Sequence, residues 1–75
     1  MRVFYDPAVD ALYLQFGDGK PEGVDEIGEG VNVDLTKDGK LVGIEIIEAS
    51  KKMDIHTILS YSLELSDEVL SSHVA

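Results

Sequence analysis

Apolar and polar positions alternate near the start of the chain with a period of two, as in a strand that buries one face. This pattern predicts a first strand at about residues 2–5 and a second around Leu12, Leu14 and Phe16. Residues 17–23 read GDGKPEG and hold three glycines and a proline. These residue types break regular structure, so they indicate a turn after the second strand.

A third strand, broken or bent around Gly28 and Gly30, is predicted at roughly 24–35, and a hairpin follows it. Asp38-Gly39 is a favoured pair for a two-residue type I′ turn, in which both central residues have positive φ. With that turn, six aliphatic side chains share one face of the hairpin. The pairs are Leu35 with Val42, Val33 with Ile44 and Val31 with Ile46. A slip of one residue would place Gly43 and Glu45 on that face, so the pattern favours the two-residue turn.

The same register leaves Leu41 and Ile47 on the other face of the sheet, with Tyr13 beside them if the strands align. A fully solvated face would not carry these apolar groups. We therefore expect Tyr13, Leu41 and Ile47 to form an interaction or oligomer face, covered by the carboxy-terminal segment or by another subunit.

After Ala49 the pattern becomes helical. Ser50 or Asp54 is a suitable helix cap, and apolar residues then recur at i, i+3 and i+4. Those residues are Ile55, Ile58 and Leu59. A second helix is predicted from Ser66, because two acidic residues follow it in the first turn, where the helix dipole favours them.

These elements predict an α+β fold, an antiparallel β-meander of four to five strands followed by one or two short C-terminal helices. We expect one domain over residues 1–75, with the sheet in 1–49 and a helical tail in 50–75. With 75 residues the chain is near the lower size limit for a self-sufficient core. It has no cysteine, so disulfides do not add stability. Self-association remains, and we expect a homo-oligomer, most simply a dimer.

Fifteen acidic residues against six basic ones give a formal net charge of −9. Phosphate backbones repel such a chain, so we expect no nucleic-acid partner. A basic protein is the complementary partner, although acidity also keeps a small domain soluble. No apolar run approaches the length of a membrane span, and the amino terminus lacks a secretory segment. The expected location is therefore the cytoplasm, without membrane contact.

Asp6 and Asp10 lie between the first two strands and are the strongest candidates for chemistry. Asp6-Pro7 is typical of a reverse turn, and Asp10 would close the same loop or cap the next strand. As a functional pair, the two carboxylates would hold a divalent cation, with Glu45 or Asp34 as further ligands. We favour the turn interpretation, so no catalytic, metal or cofactor-binding residue is assigned.

Neither histidine adds to this candidate site. His56 lies near the polar edge of the first predicted helix and His73 near the end of the chain, and both are expected to be ordinary surface residues. Neither a nucleophile elbow nor a glycine-rich phosphate loop is present. The sequence therefore carries only a weak signal for catalysis.

The segments YDPAVDALYLQF and EIGEGVNVDLTKDGKLVGIEIIEASKK resemble domain of unknown function 2283 (DUF2283), a small prokaryotic family. The resemblance covers roughly residues 1–52. The matching residues are Tyr5, Asp6, Asp10, Leu12, Tyr13, Gly30, Asp34, Gly39, Val42, Gly43, Ile44, Glu45, Ile46, Ala49 and Ser50. It implies a compact β-sheet domain of bacterial or archaeal origin, with no catalytic residues to carry over. It also suggests, by analogy, an antitoxin or partner-neutralising role.

Three functions are therefore compared below. The leading hypothesis is a non-enzymatic module that binds a protein, in particular a basic toxin-like partner. The alternatives are a small metal-dependent hydrolase that uses Asp6 and Asp10, and a purely structural homo-oligomer. The role of Tyr5, Asp34 and Glu45 is open in all three.

Overall fold

Five strands form one antiparallel sheet in the computed structural model, which describes residues 1–67 of the chain. The strands are β1 (Arg2–Asp6), β2 (Ala11–Gln15), β3 (Gly23–Gly28), β4 (Val31–Leu35) and β5 (Leu41–Ile47). A one-turn helix, α1 (Ala49–Lys52), and a 3₁₀ helix (Ile55–Leu59) follow β5. The predicted α+β fold class is confirmed.

The spatial order of the strands is β1-β2-β5-β4-β3. Strands β3, β4 and β5 form a meander, and the β1–β2 hairpin adds to its free side, so that β2 pairs with β5. The strand order is therefore more specific than a simple meander. The glycine-containing connection 16–22 carries the chain from β2, next to the centre, to the far edge of the sheet.

The β4–β5 hairpin keeps the predicted register in its middle but not at its turn. Val33 pairs with Ile44, and Val31 pairs with Ile46, as predicted. The predicted two-residue turn is wrong, because the Thr36 and Lys40 backbones bond across a three-residue loop in which Gly39 alone has positive φ. Leu35 consequently pairs with Leu41, and the register shifts beside Asp34 and Leu35.

The core of the domain is small. Among the described residues only Leu12, Val42 and Ala49 are buried apolar residues. The other aliphatic side chains of the apolar face are partly covered, and no charged or polar side chain is buried in this part of the chain. A single sheet with so few buried residues leaves much apolar surface accessible to solvent.

The segment after the sheet is only partly helical. Asp54 caps the 3₁₀ helix by accepting a hydrogen bond from the His56 backbone N–H at 3.0 Å, as its sequence position predicts. Ser50 is not a cap but lies inside α1. Residues 60–66 form neither helix nor strand. The second predicted helix, from Ser66, and His73 fall largely or wholly outside the described residues.

Within residues 1–67, no helix has the length and apolar character needed to cross a membrane.

Candidate functional site

Asp6 occupies the turn that the sequence predicts for it. Its Oδ1 accepts a hydrogen bond from the Ala8 backbone N–H at 2.9 Å, two residues further along the chain. An aspartate that bonds the backbone in this way stabilises a reverse turn, and the following Pro7 presets the backbone angle. The carboxylate of Asp6 therefore shapes the loop between β1 and β2.

Asp10 stabilises a different part of the molecule. Its backbone has φ of 54°, a left-handed conformation that aspartate adopts more readily than most residues. Oδ1 accepts a hydrogen bond from the Tyr5 hydroxyl at 2.7 Å and another from the Ser50 backbone N–H at 3.1 Å. Oδ2 accepts a third from the Ser50 hydroxyl at 2.7 Å. The Asp10 carbonyl oxygen accepts the Ala49 N–H at 2.9 Å.

Asp10 thus caps α1 from a loop forty residues earlier in the chain. The residue that precedes this helix, Glu48, has a left-handed backbone and makes no side-chain cap bond. The first N–H groups of a helix have no partner within it, and here Asp10 provides one. Asp10 also lies in the turn of its own loop, as expected, and bonds Tyr5 on the other side of it. The element that it caps, however, is α1 and not β2.

These hydrogen bonds lower the pKa of Asp10 and raise the pKa of Tyr5, and each shift favours the hydrogen-bonded form. The Ser50 and Tyr5 hydroxyls, which donate to the carboxylate, hold the pKa of Asp10 below its ordinary value. The pKa of Tyr5 is raised, mainly because its hydroxyl proton bonds to Asp10. At neutral pH the pair consists of an ionised carboxylate and a neutral phenol, which is the arrangement that these bonds require.

Asp6 and Asp10 take part in separate sets of hydrogen bonds. Asp6 bonds the backbone of its own turn, whereas both oxygens of Asp10 already accept hydrogen bonds from Tyr5 and Ser50. Asp34 and Glu45, the suggested further ligands, belong to β4 and β5. In residues 1–67, no three histidine, aspartate or glutamate side chains are grouped as metal ligands.

A second tyrosine–aspartate pair lies across the middle of the sheet. The Tyr13 hydroxyl donates a hydrogen bond to Asp34 Oδ2 at 2.9 Å, across the intervening strand β5. Directly opposite Asp34 on β5 is Gly43. A side chain at Gly43 would overlap the Tyr13 hydroxyl and ring, and its Cβ would lie 2.7 Å from the Leu14 carbonyl oxygen. Gly43 therefore lets the tyrosine ring cross β5.

Desolvation and the nearby carboxylates raise the pKa of Tyr13. Burial is the larger cause, and the hydrogen bond to Asp34 and the charge of Glu45 act in the same direction. Tyr13 is therefore neutral at physiological pH and remains a hydrogen-bond donor. Its hydroxyl joins three strands, which is a structural role.

The face of the sheet that carries Tyr13 is acidic. In the strand register, one row of directly opposed residues crosses all five strands. The row contains Phe4, Tyr13, Glu45, Asn32 and Glu26. The neighbouring row adds Asp34, and its one basic residue is Arg2, at the β1 edge. We call this surface, with its carboxylates Glu26, Asp34 and Glu45, the polar face.

The predicted interaction residues do not form one continuous patch. Tyr13 lies mid-sheet with its hydroxyl bonded, whereas Ile47 pairs with Ala11 at one end of β5. Leu41 begins β5 at the other end, about 20 Å from Ile47 at the usual rise of a strand. Both aliphatic side chains are exposed. The role of these three residues as an oligomer face stays a prediction.

The sequence analysis did not predict the structural roles of Gly43, which lies opposite Asp34 under the Tyr13 ring, and of Ser50, which bonds Asp10. Gly43 carried a usable signal, because an isolated glycine within a strand pattern indicates the close approach of another group. Ser50 carried none, since its partner Asp10 lies forty residues away and no local rule connects them. Glu26 was not singled out either, because its place on the polar face depends on the register of β3.

Comparison with known proteins gives a family without an assigned function. A family model described as "Protein of unknown function (DUF2283)" matches residues 2–50, more than half of the chain. Neither the curated proteins nor the solved structures give a significant match. The matched range contains both tyrosine–aspartate pairs, Gly43 and Ser50, so it coincides with the hydrogen-bonded frame described above.

Proposed function

The chain belongs to the DUF2283 family of proteins of unknown function, and we propose that it is a non-catalytic module that binds a basic protein through the polar face of its sheet. The observation that carries this proposal is the composition of that face. Three carboxylates lie on it beside two aromatic rings, and its one basic residue is at the edge.

The roles of the shared motif residues support a non-catalytic function. Tyr5 and Asp10 bond each other and α1, and Tyr13 and Asp34 bond each other across Gly43. A catalytic group must reach a substrate from a cleft with its reactive atoms available. These side chains instead bond to each other and to the backbone. We prefer this non-catalytic function to the metal-dependent hydrolase with Asp6 and Asp10, because the two carboxylates serve separate structural tasks.

Charge supports a basic partner. The whole chain carries −9, and the polar face presents Glu26 and Glu45 on exposed positions. Opposite charges speed the encounter of two proteins and disfavour partners of the same sign. The chain's own Arg2 lies over the Phe4 ring at 4.9 Å from the ring centre, a cation–π contact. The same face thus offers both kinds of contact that arginine and lysine side chains make.

The proposed partner is a basic, toxin-like protein that this module would neutralise by covering its charged surface. This follows the analogy that the family resemblance suggests. The proposed location is the cytoplasm, because the chain has no cysteine and so does not depend on the oxidising compartments in which disulfides form.

Charge reversal on the polar face tests the proposal. Immobilised wild-type protein is incubated with a lysate of the native host, and the retained proteins are identified by mass spectrometry at low and high salt. We expect the wild type to retain one or a few basic proteins in a salt-sensitive manner. The variant Glu26→Lys/Glu45→Lys should lose at least nine tenths of that retention.

The matched control is Asp18→Lys/Glu22→Lys, which makes the same change in net charge within the exposed β2–β3 connection. It should retain the same basic proteins as the wild type. Equal loss in both variants would show a nonspecific charge effect and contradict the proposed face. Retention of no basic protein by the wild type would contradict the proposed partner.

A further inference from the structure

Residues 59–65 have the pattern of a strand but are not part of the sheet. The segment reads LSYSLEL, in which Leu59, Tyr61, Leu63 and Leu65 alternate with small or charged residues. A period of two places all four apolar side chains on one side of an extended chain, whereas a helix would scatter them. The backbone at Ser60, which follows the 3₁₀ helix, is already extended.

The apolar side of this segment is largely accessible to solvent. The side chains of Leu59, Tyr61 and Leu63 are each more than three quarters exposed, and Leu65 is 42% exposed. Only one charged residue, Glu64, lies within the segment, in a chain that is otherwise strongly acidic. Exposed strand-like segments with low charge are the ones that pair with the edge of a sheet.

The chain exposes more surface than a compact monomer of its mass. Its accessible surface is 5907 Å², whereas a folded monomer of this mass is expected to expose about 4,500 Å². The excess is roughly 1,400 Å², and a standard protein–protein interface covers about 800 Å² on each partner. The excess is therefore at least as large as one side of a standard interface, so the chain has enough surface for contact with a second copy.

Of the two edge strands, β1 suits this segment better than β3. Strand β3 contains Asp25 and Glu26, which would repel Glu64 of an incoming strand. Strand β1 carries one positive and one negative residue, Arg2 and Asp6, so its net charge is zero. Arg2 is also the residue on that edge able to pair with Glu64. Unpaired backbone groups along an edge strand provide the hydrogen bonds for another strand.

The apolar side of β1 also has room for further side chains. A cavity of about 550 Å³ lies between the sheet and the chain's own tail. Val3 and Leu14 line it on the sheet side, and Ile58, Tyr61 and Leu63 line it on the tail side. The tail therefore lies near β1 without packing closely on it.

We propose that residues 59–65 add as a sixth strand to the β1 edge of a second copy of the chain, and that the two copies exchange this segment reciprocally. Such an exchange gives a two-fold symmetric dimer with identical interfaces. It uses a different surface and a different partner from the polar face, so this inference and the proposed function can fail independently.

Light scattering coupled to size-exclusion chromatography at micromolar concentration tests the dimer. The wild type should have twice the monomer mass of 8.2 kDa. Replacing two apolar residues of the segment, in Tyr61→Ser/Leu63→Ser, should raise the dimer dissociation constant at least tenfold. The control Val24→Ser/Ile27→Ser removes two similarly exposed apolar residues from the β3 edge and should remain dimeric.

A strictly monomeric wild type would overturn the inference. A dimer that survives in the tail variant, or that is lost only in the β3 variant, would also overturn it. Amide hydrogen exchange on the wild type provides a test that does not depend on variants. Protection of residues 2–6 and 59–65 should rise together with protein concentration, and protection independent of concentration would contradict pairing between two copies.

Discussion

Asp10 has a left-handed backbone, and both oxygens of its carboxylate accept hydrogen bonds. Its left-handed φ turns the chain out of the β1–β2 loop, and that orientation directs the side chain toward Ser50. Three hydrogen bonds from Tyr5 and Ser50 then offset the conformational cost. At the scale of single residues, Asp10 therefore links the amino-terminal hairpin to the helix after β5.

Replacing this carboxylate should change how stability depends on pH. The pKa of Asp10 in the folded protein is lower than its ordinary value of 3.8, so the folded state binds fewer protons there than the unfolded state. Its contribution is therefore fully present above the unfolded pKa and is lost as pH falls through the folded pKa. We expect Asp10→Asn to have a lower melting temperature than the wild type at about pH 6. This difference should narrow as the pH falls below 3.8, the ordinary pKa of the group.

Thermal unfolding followed by circular dichroism over this pH range measures the effect. Glu48, whose pKa is also lowered, mainly by its hydrogen bond and ion pair with Lys51, is present in both proteins. The charge of Asp10 is only a minor, opposing influence on Glu48, so the difference between the proteins mainly reports Asp10. The control Asp6→Asn should show a smaller gap at neutral pH, since Asp6 bonds only one backbone group. A gap for Asp10→Asn that is constant with pH would contradict the proposed role of its charge.

At the scale of elements, the packing of β5 depends on the Tyr13 ring that crosses over it. Strand β5 lies at the centre of the sheet, between β2 and β4, and the Tyr13 ring passes over its glycine to reach Asp34. At Gly43 the Tyr13 ring packs on the backbone of β5 and fills the space that a side chain of a central strand would normally occupy. The Tyr13 hydroxyl thereby joins β2 to β4, the two strands that flank β5.

Adding a methyl group at this crossing should destabilise the sheet. We expect Gly43→Ala to cost about 1–3 kcal/mol, because its Cβ would overlap the Tyr13 ring and approach the Leu14 carbonyl. Urea unfolding measures this cost. In Tyr13→Ala/Gly43→Ala the added cost of the alanine should be smaller than in the wild-type background, because the ring is absent. Strictly additive costs would show that the ring and glycine do not interact.

The elements also show which parts of the fold were predictable. The stretch 24–35, predicted as one broken or bent strand, is two antiparallel strands, β3 and β4, joined by a turn at Glu29 and Gly30. Alternation located the other strands, and the Val33–Ile44 and Val31–Ile46 pairs were correct. The predicted two-residue turn between β4 and β5 was wrong, because the loop has one extra residue, which is compensated by one extra residue of β5 beside Leu41. Both arrangements therefore give the same register beyond Asp34, and the hydrophobic pattern cannot separate them.

The tail was harder to predict because Leu59 fits two patterns. It completes the helical spacing of Ile55 and Ile58, and it also begins the alternation that continues to Leu65. The helical interpretation was extended through the rest of the tail, whereas the structure ends the 3₁₀ helix at Leu59. Among the site residues, local turn chemistry was enough for Asp6. The cap that Asp10 provides required contacts forty residues apart, which only the folded chain shows.

At the scale of the whole molecule, the small core limits stability. The radius of gyration is 14.7 Å, whereas a compact domain of 75 residues is expected to have about 11 Å. Leu12 is the one large side chain that is completely buried among the described residues. Self-association, expected from the size of the chain, stays a prediction that the measurements proposed above would decide.

Leu12→Ala should consequently have a large effect. Removing a fully buried leucine costs about 2–5 kcal/mol, and a domain of this size is stable by only about 4–11 kcal/mol. Chemical denaturation measures this loss. The exposed Leu41→Ala in β5 is the control and should cost less than 1 kcal/mol by roughly the same area argument. Equal losses for the two variants would show that the core is elsewhere.

The pairing of β2 with β5 also affects how a newly made chain folds. Strand β2 ends at Gln15, but its second partner begins at Leu41, so the inner edge of the first hairpin waits for 26 further residues to be synthesised. At typical translation rates this takes about 1–5 seconds. During that interval the edge that carries Leu12 has no neighbour. The ribosome must therefore deliver nearly the whole domain before folding can finish, and nascent chains would need chaperones most during this interval.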